Sequence, residues 1–249
     1  MYRPGTLYTT EPISTLDHEF WSLGHGKVIP HGIYDAQENR GYITLGNSKD
    51  TSEFACESLK NWWNNYGKFI YPNATSILAK CDGGGSNNAN HYIFKEDLQK
   101  LVNEIGIEIR IAHYPPYTSK YNLIEHRLFP HVTRACQGVI FTHIELVKYL
   151  VDKTHTETGL SVVANVLNKV YKIGRKVAEN FKKLCKLLLI NTCQNGTIEP
   201  YLKLSNSSSY LFFSPKFEKQ LNAMACCASW GIDWSSRAWS NLSSTCHKS

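Results

Sequence analysis

The sequence predicts an α/β domain built on a mixed sheet. Two observations carry that expectation. Segments with strand character alternate with segments of helical spacing over residues 28–188, and the first two strand segments are joined by a tight turn while later ones are separated by helices. A third observation bounds the answer. The chain has 249 residues, 42% hydrophobic and 19% charged, enough to bury a sizeable core and too apolar for a disordered chain.

The elements follow in order. Residues 1–27 read as an irregular N-terminal segment rich in turn formers. KVIPHGIYD (27–35) and GYITLGNS (41–48) form an antiparallel hairpin across the turn QENRG (37–41). DTSEFACESLKNWWNNYG is a helix capped by Asp50 or Thr51, with Glu53 in the first turn and Gly67 past its end. Trp62 and Trp63 on it are core residues rather than a stacking platform for bases. SILAKCD is a buried strand, NHYIFKEDLQKLVNEIG a helix, and IEIRIAHY (107–114) an alternating strand. After the loop PPYTSKYN come a helix over NLIEHRLFPHVTRAC, bent at Pro130, and another over FTHIELVKYLVDKT (141–154). The stretch from Lys169 to Lys186 is marked by charge: Lys169, Lys172, Arg175, Lys176, Lys182, Lys183 and Lys186 against Glu179 alone. From 189 to 249 the text turns serine-rich with isolated aromatics and cysteines and no sustained period, and reads as a poorly ordered or non-native tail.

The net charge of +6 suits a polyanionic partner without requiring one. No apolar run is long enough for a membrane span, and MYRPGTLYTTEP has no secretory core. The eight cysteines show no CxxC pair or zinc spacing, and read as reduced thiols of a cytoplasmic protein.

The chemistry concentrates at two places. In SILAKCDGGGSNN an apolar strand ends on Asp82, where α/β folds place their sites, and Gly83 to Gly85 leave room for a phosphate or another backbone. Glu125 begins the helix after PPYTSKYN, with 42 residues between it and Asp82, a gap of one helix, one strand and one loop that returns the chain to the same sheet edge. Paired carboxylates repel unless a cation lies between them, and hard oxygen donors suit Mg²⁺ or Mn²⁺. Two such ions can promote phosphodiester cleavage, a site that calls for a third acid. Two plainer readings stand beside this one. Asp82 followed by glycine is ordinary turn chemistry, and Glu125 could complete a capping box with Asn122. Lys120, His126 and Arg127 are candidate phosphate contacts, and Lys172, Arg175 and Lys176 a candidate track for a DNA backbone.

CDGGGSNN and HYPPYTSKYNLIEHRLF, with IPHGIYDAQENRGYITLG, DTSEFACESLKNWW and TETGL in order, resemble the DDE transposases of bacterial insertion sequences, specifically the Rhodopirellula-type DDE domain. The resemblance spans roughly residues 20–185. It implies an RNase H-like mixed sheet flanked by helices, metal-dependent DNA cleavage and strand transfer during transposition, and two Mg²⁺ or Mn²⁺ ions in an intact site. Asp82 matches the second acid and Glu125 the third. The implied partner is DNA, at the element's ends and at its target, in the nucleoid; a homo-oligomer is left open, and no membrane is involved. The family's first acid lies in an initial strand, in a VDTKKKE-like segment that has no counterpart before KVIPHGIYD. Asp35 is a weak substitute at the hairpin turn, and Asp17 weaker still. The expectation is therefore a domain lacking its first strand, impaired in catalysis, with its tail read in an altered frame. The alternatives are a non-catalytic DNA-binding remnant and an unrelated nuclease of the same fold.

Overall fold

The computed structural model describes residues 6, 8–13, 26–81, 91–114, 121–185, 201–204 and 223–229, with side chains only up to residue 182. Strand β1 (Ile29–Asp35) turns through Asn39, which takes a left-handed φ of 52°, into β2 (Arg40–Gly46). Helix α1 (Ser52–Trp62) starts where the Thr51 hydroxyl accepts the Phe54 N–H at 3.2 Å. It runs on through one π-helical turn (Trp63–Gly67) and the short α2 (Lys68–Ile70). Strand β3 (Ser76–Cys81), helix α3 (Tyr92–Ile105) and strand β4 (Glu108–His113) make a crossover unit. Gly106, at φ 73°, ends α3 in the left-handed conformation that glycine supplies.

The predicted bent helix is two short ones, α4 (Leu123–Arg127) and α5 (Phe129–Ala135). The break falls at Leu128, and Pro130 sits in the first turn of α5, where its missing N–H costs nothing. Helix α6 (Ile144–Asp152) leads to β5 (Ser161–Leu167), and α7 (Glu179–Cys185) follows. Two further strands, β6 (Tyr201–Leu204) and β7 (Ala223–Ser229), come from the segment expected to be a poorly ordered tail.

The seven strands form one mixed sheet in the order β5-β2-β1-β7-β3-β4-β6. β7 lies at its centre, antiparallel to β1 and parallel to β3. Among the described residues β1 pairs with β2 and β7 and not with β3, so β7 alone bridges the two halves of the sheet by backbone hydrogen bonds.

Alternation along the strands gives each face its own core. Ile33, Tyr42, Ile77, Ala79 and Cys81 meet α1 and α3 through Leu59, Trp62, Phe94, Leu98 and Val102. Tyr34, Ile43, Leu45, Val162 and Ala164 meet α4, α5 and α6 through Ile124, Leu128, Phe129, Val147 and Val151. At the outer strand, the Ala164 N–H donates to Asp152 Oδ1 at 2.6 Å, which ties α6 to β5 and satisfies an edge donor.

Candidate active site

β3 and β4 run parallel and end side by side. Cys81 is in register with His113, and the Tyr114 N–H donates to the Cys81 carbonyl at 3.0 Å. Asp82 is the next residue in the chain. Asp82 and the glycines after it, like Lys120, lie outside the described residues.

Glu125 sits in α4, half-buried. Its backbone N–H donates to the Asn122 carbonyl at 3.1 Å. Asn122 holds the N-cap position with extended backbone, but its side chain makes no capping bond, so the reciprocal capping box weighed from the sequence is not formed. The Asn122 side chain is instead buried, 1% exposed, and among the described residues its Oδ1 has no hydrogen-bond partner. A buried amide oxygen without a donor is uncommon. Here it stands at the base of the helix that carries Glu125.

Gly32 sets where α4 lies. A Cβ at that position would meet Phe129 Cε1 at 2.7 Å and Ile124 Cδ1 at 3.1 Å, so only glycine lets α4 and α5 close on β1. Gly32 is in register with Ala228 of β7, one residue past the Cys227–Cys81 pair. β1 and β3 are separated by one strand, about 10 Å at the usual spacing. The Glu125 helix therefore lies over the centre of the sheet, close to the end of β3 from which Asp82 continues.

Asp35 is elsewhere. Its register partner Ala225 is also the partner of Ala79, so it lies two rungs away from Cys81 and two strands over. Its carboxylate is fully buried and already committed. The Tyr71 hydroxyl donates to both oxygens at 2.9 Å, and the Gln37 and Glu38 N–H groups donate at 3.1 and 3.2 Å. Burial, and then the carboxylate it serves, push the Tyr71 phenol well above its ordinary pKa. Asp35 fixes the hairpin turn, its oxygens engaged by these three donors. Asp17 lies outside the described residues.

The candidate phosphate contacts divide. His126 and Arg127 are exposed on α4, beside Glu125. Lys172 and Lys176 are exposed in the stretch after β5. Arg175 is engaged within the protein: its guanidinium grips Asp97 of α3 at 2.9 and 2.6 Å and approaches Glu53 of α1 at 3.6 Å. The Asp97 hydrogen bond is the main reason its pKa is raised further. Lys169 likewise bridges Glu53 and Glu57 at 3.0 and 2.7 Å. These two cations fasten the chain after β5 onto the α1/α3 side of the sheet, opposite α4. Sequence spacing grouped Arg175 with its basic neighbours because the acids it meets are 78 residues and more away.

Among the described residues no three His, Cys, Asp or Glu side chains converge as metal ligands, and no helix is long and apolar enough to cross a membrane. The family model described as Rhodopirellula transposase DDE domain matches residues 1–195, which ends before β6 and β7. No curated protein and no solved structure matches the chain.

Proposed function

The chain belongs to the Rhodopirellula-type DDE transposase family, and from that premise we propose that Asp82 and Glu125 hold divalent metal at the sheet edge for cleavage and joining of DNA strands. Transposases act on DNA, their DDE domains use divalent ions, and the mixed sheet flanked by helices accords with the RNase H-like fold of such domains. The observation that carries the reading is the seat of α4. Gly32 admits Ile124 and Phe129 onto the sheet centre, and so brings Glu125 near the strand that continues into Asp82.

The donor set fits a hard cation. Two carboxylates and the orphaned Asn122 Oδ1 are oxygen ligands of the kind Mg²⁺ and Mn²⁺ prefer. Bound there, such ions would activate the attacking hydroxyl and offset charge on the phosphodiester. The protein's own residues do the rest. Glu125 and Asp82 supply the negative charge that keeps the ions in place. His126 and Arg127, one and two residues on from Glu125, hold the phosphates flanking the bond to be cut. Lys120 extends that contact, and Lys172 and Lys176 add backbone contacts farther along the duplex. Arg175 holds the chain after β5 against α3 through Asp97.

Held by Asp82 and Glu125 alone, a second ion would be weakly bound and cutting of DNA would be weak. That favours a second reading, a DNA-binding form that engages element ends without cutting them, alone or assembled with further copies, in the nucleoid of the cytoplasm. Nicking of element-end DNA with Mn²⁺, beside binding of the same DNA, separates the two. Cleavage lost in Asp82→Ala and Glu125→Ala supports the first. Binding without cutting, unchanged in both variants, leaves the second. Binding lost in neither acid variant nor a Lys172→Ala/Lys176→Ala variant contradicts both.

A further inference from the structure

Residues 168–176, directly after β5, form no helix or strand, yet they are held against α1 and α3. Lys169 bridges Glu53 and Glu57 at one end, and Arg175 grips Asp97 at the other. Between these cations lies Tyr171, the one buried residue of the stretch, 3% exposed. Its ring packs on Phe54 of α1 with centroids 5.3 Å apart, in a small cluster with Ile29. Its hydroxyl donates to Glu57 Oε2 at 3.2 Å, and its backbone N–H donates to Ser48 Oγ at 2.9 Å.

The residues between these anchors face out. Lys172 and Lys176 are exposed, and so are Val170 and Ile173. Among the described residues neither of these two lysines meets an acid. Each follows an inward anchor, Lys172 after Tyr171 and Lys176 after Arg175. Gly174, at a left-handed φ of 74°, turns the chain so that Arg175 returns to α3. No backbone ladder holds the stretch, and Tyr171 is its only buried apolar group. Lys169 is half-exposed, and ion pairs so placed contribute little beside the burial of an aromatic ring.

Resting on the reading of Lys172 and Lys176 as contacts to a DNA backbone, we propose that residues 168–176 are a preorganised strap for the duplex and that Tyr171 is its positioning residue. Tyr171 touches no DNA; it sets affinity by holding the two lysines in place before the phosphates arrive. Ordering an irregular segment only on binding lowers affinity by about tenfold for each residue fixed. Burial of Tyr171 meets that cost when the chain folds. The number of phosphates contacted, and so the number of counterions released, depends on the lysines and not on Tyr171. Affinity and salt dependence therefore respond to different residues.

The test is binding of a random-sequence DNA duplex by the full chain over a salt series. Tyr171→Ala should bind about tenfold more weakly at every salt concentration, with the salt slope unchanged and faster amide exchange over residues 168–176. Tyr171→Phe keeps the ring and should restore affinity to near that of wild type. A tyrosine that serves stability alone would lower the melting temperature and leave the affinity of the folded variant untouched, which overturns the proposal. A slope that falls by about 2, as expected for Lys172→Ala with Lys176→Ala, overturns it too, because the contacts themselves would be gone. If Tyr171→Ala does not fold, Ser48→Ala removes the acceptor of the Tyr171 N–H and leaves the ring buried. A weaker complex with the same slope then supports the proposal, and wild-type affinity counts against it. The two readings fail separately. If the double lysine variant keeps the wild-type slope, the DNA-contact reading falls. If its slope drops while Tyr171→Ala binds as tightly as wild type, the positioning role alone falls.

Discussion

Gly32→Ala tests how the site is held. The added Cβ would lie 2.7 and 3.0 Å from Phe129 Cε1 and Cζ and 3.1 Å from Ile124 Cδ1. Carbon atoms do not approach that closely, and the nearest atoms belong to an aromatic ring that is 3% exposed and to the fully buried Ile124. Neither side chain has space to rotate away. α4 and α5 must therefore lift from β1 by several tenths of an ångström. Overpacking of this kind costs about 1–3 kcal/mol. For a chain of this size each kcal/mol lowers the melting temperature by about 2–4 °C. Because Glu125 follows Ile124, the same lift moves its carboxylate away from the end of β3. We expect a lower melting temperature together with several-fold weaker Mn²⁺ binding in the folded variant, both read on one sample by calorimetry. Lost stability with unchanged Mn²⁺ affinity would show that the seat of α4 on β1 does not position Glu125. Unchanged stability would refute the packing argument itself.

Other perturbations separate structure from site. Tyr71→Phe removes the hydroxyl shared by both Asp35 oxygens and leaves a buried carboxylate with two backbone donors; urea denaturation should show a loss of about 1.5–3 kcal/mol, with Mn²⁺ affinity intact. His31 is fully buried, among the described residues neither of its ring nitrogens is hydrogen-bonded, and burial lowers its pKa from 6.5 to about 4. The unfolded chain thus takes up the proton first. Stability present above pH 6.5 is lost as pH falls toward 4, by about 3 kcal/mol, and the urea midpoint of wild type should drop more over this window than that of His31→Gln. Arg175→Ala should cost about 1–3 kcal/mol by leaving the Asp97 carboxylate, 4% exposed, to the Ser52 hydroxyl without its cation, and leave the salt dependence of DNA binding unchanged. Lys172→Ala with Lys176→Ala should reduce that salt slope by about 2 with little change in stability.

Much of the framework was legible because local signals agreed with the final contacts. The β1–β2 hairpin, α1 with its Thr51 cap, β3, α3 and β4 all follow period and punctuation, and Trp62 and Trp63 are core residues as their spacing indicates. Glu125 lies in the first turn of α4, the helix start that the sequence predicts for it. Three things were not legible. The strand SVVANVL was read only for the charges after it, although Val162 and Ala164 alternate toward the α6 face. Arg175 looked like a surface cation because its acceptors are distant in sequence. β7 has small residues, paired cysteines and no polar alternation, so nothing local marks it as a strand. Its place comes from the unpaired backbone edges of β1 and β3, a tertiary demand that no window of sequence displays.

The central claim is that two carboxylates 43 positions apart in the chain grip the same ion. Calorimetric Mn²⁺ titration of wild type, Asp82→Asn, Glu125→Gln and the double variant tests it directly. If the acids share an ion, either substitution should abolish most of the binding, and the double variant should be scarcely weaker than the worse single one. Full Mn²⁺ affinity in either single variant, or two losses that simply add, would contradict it.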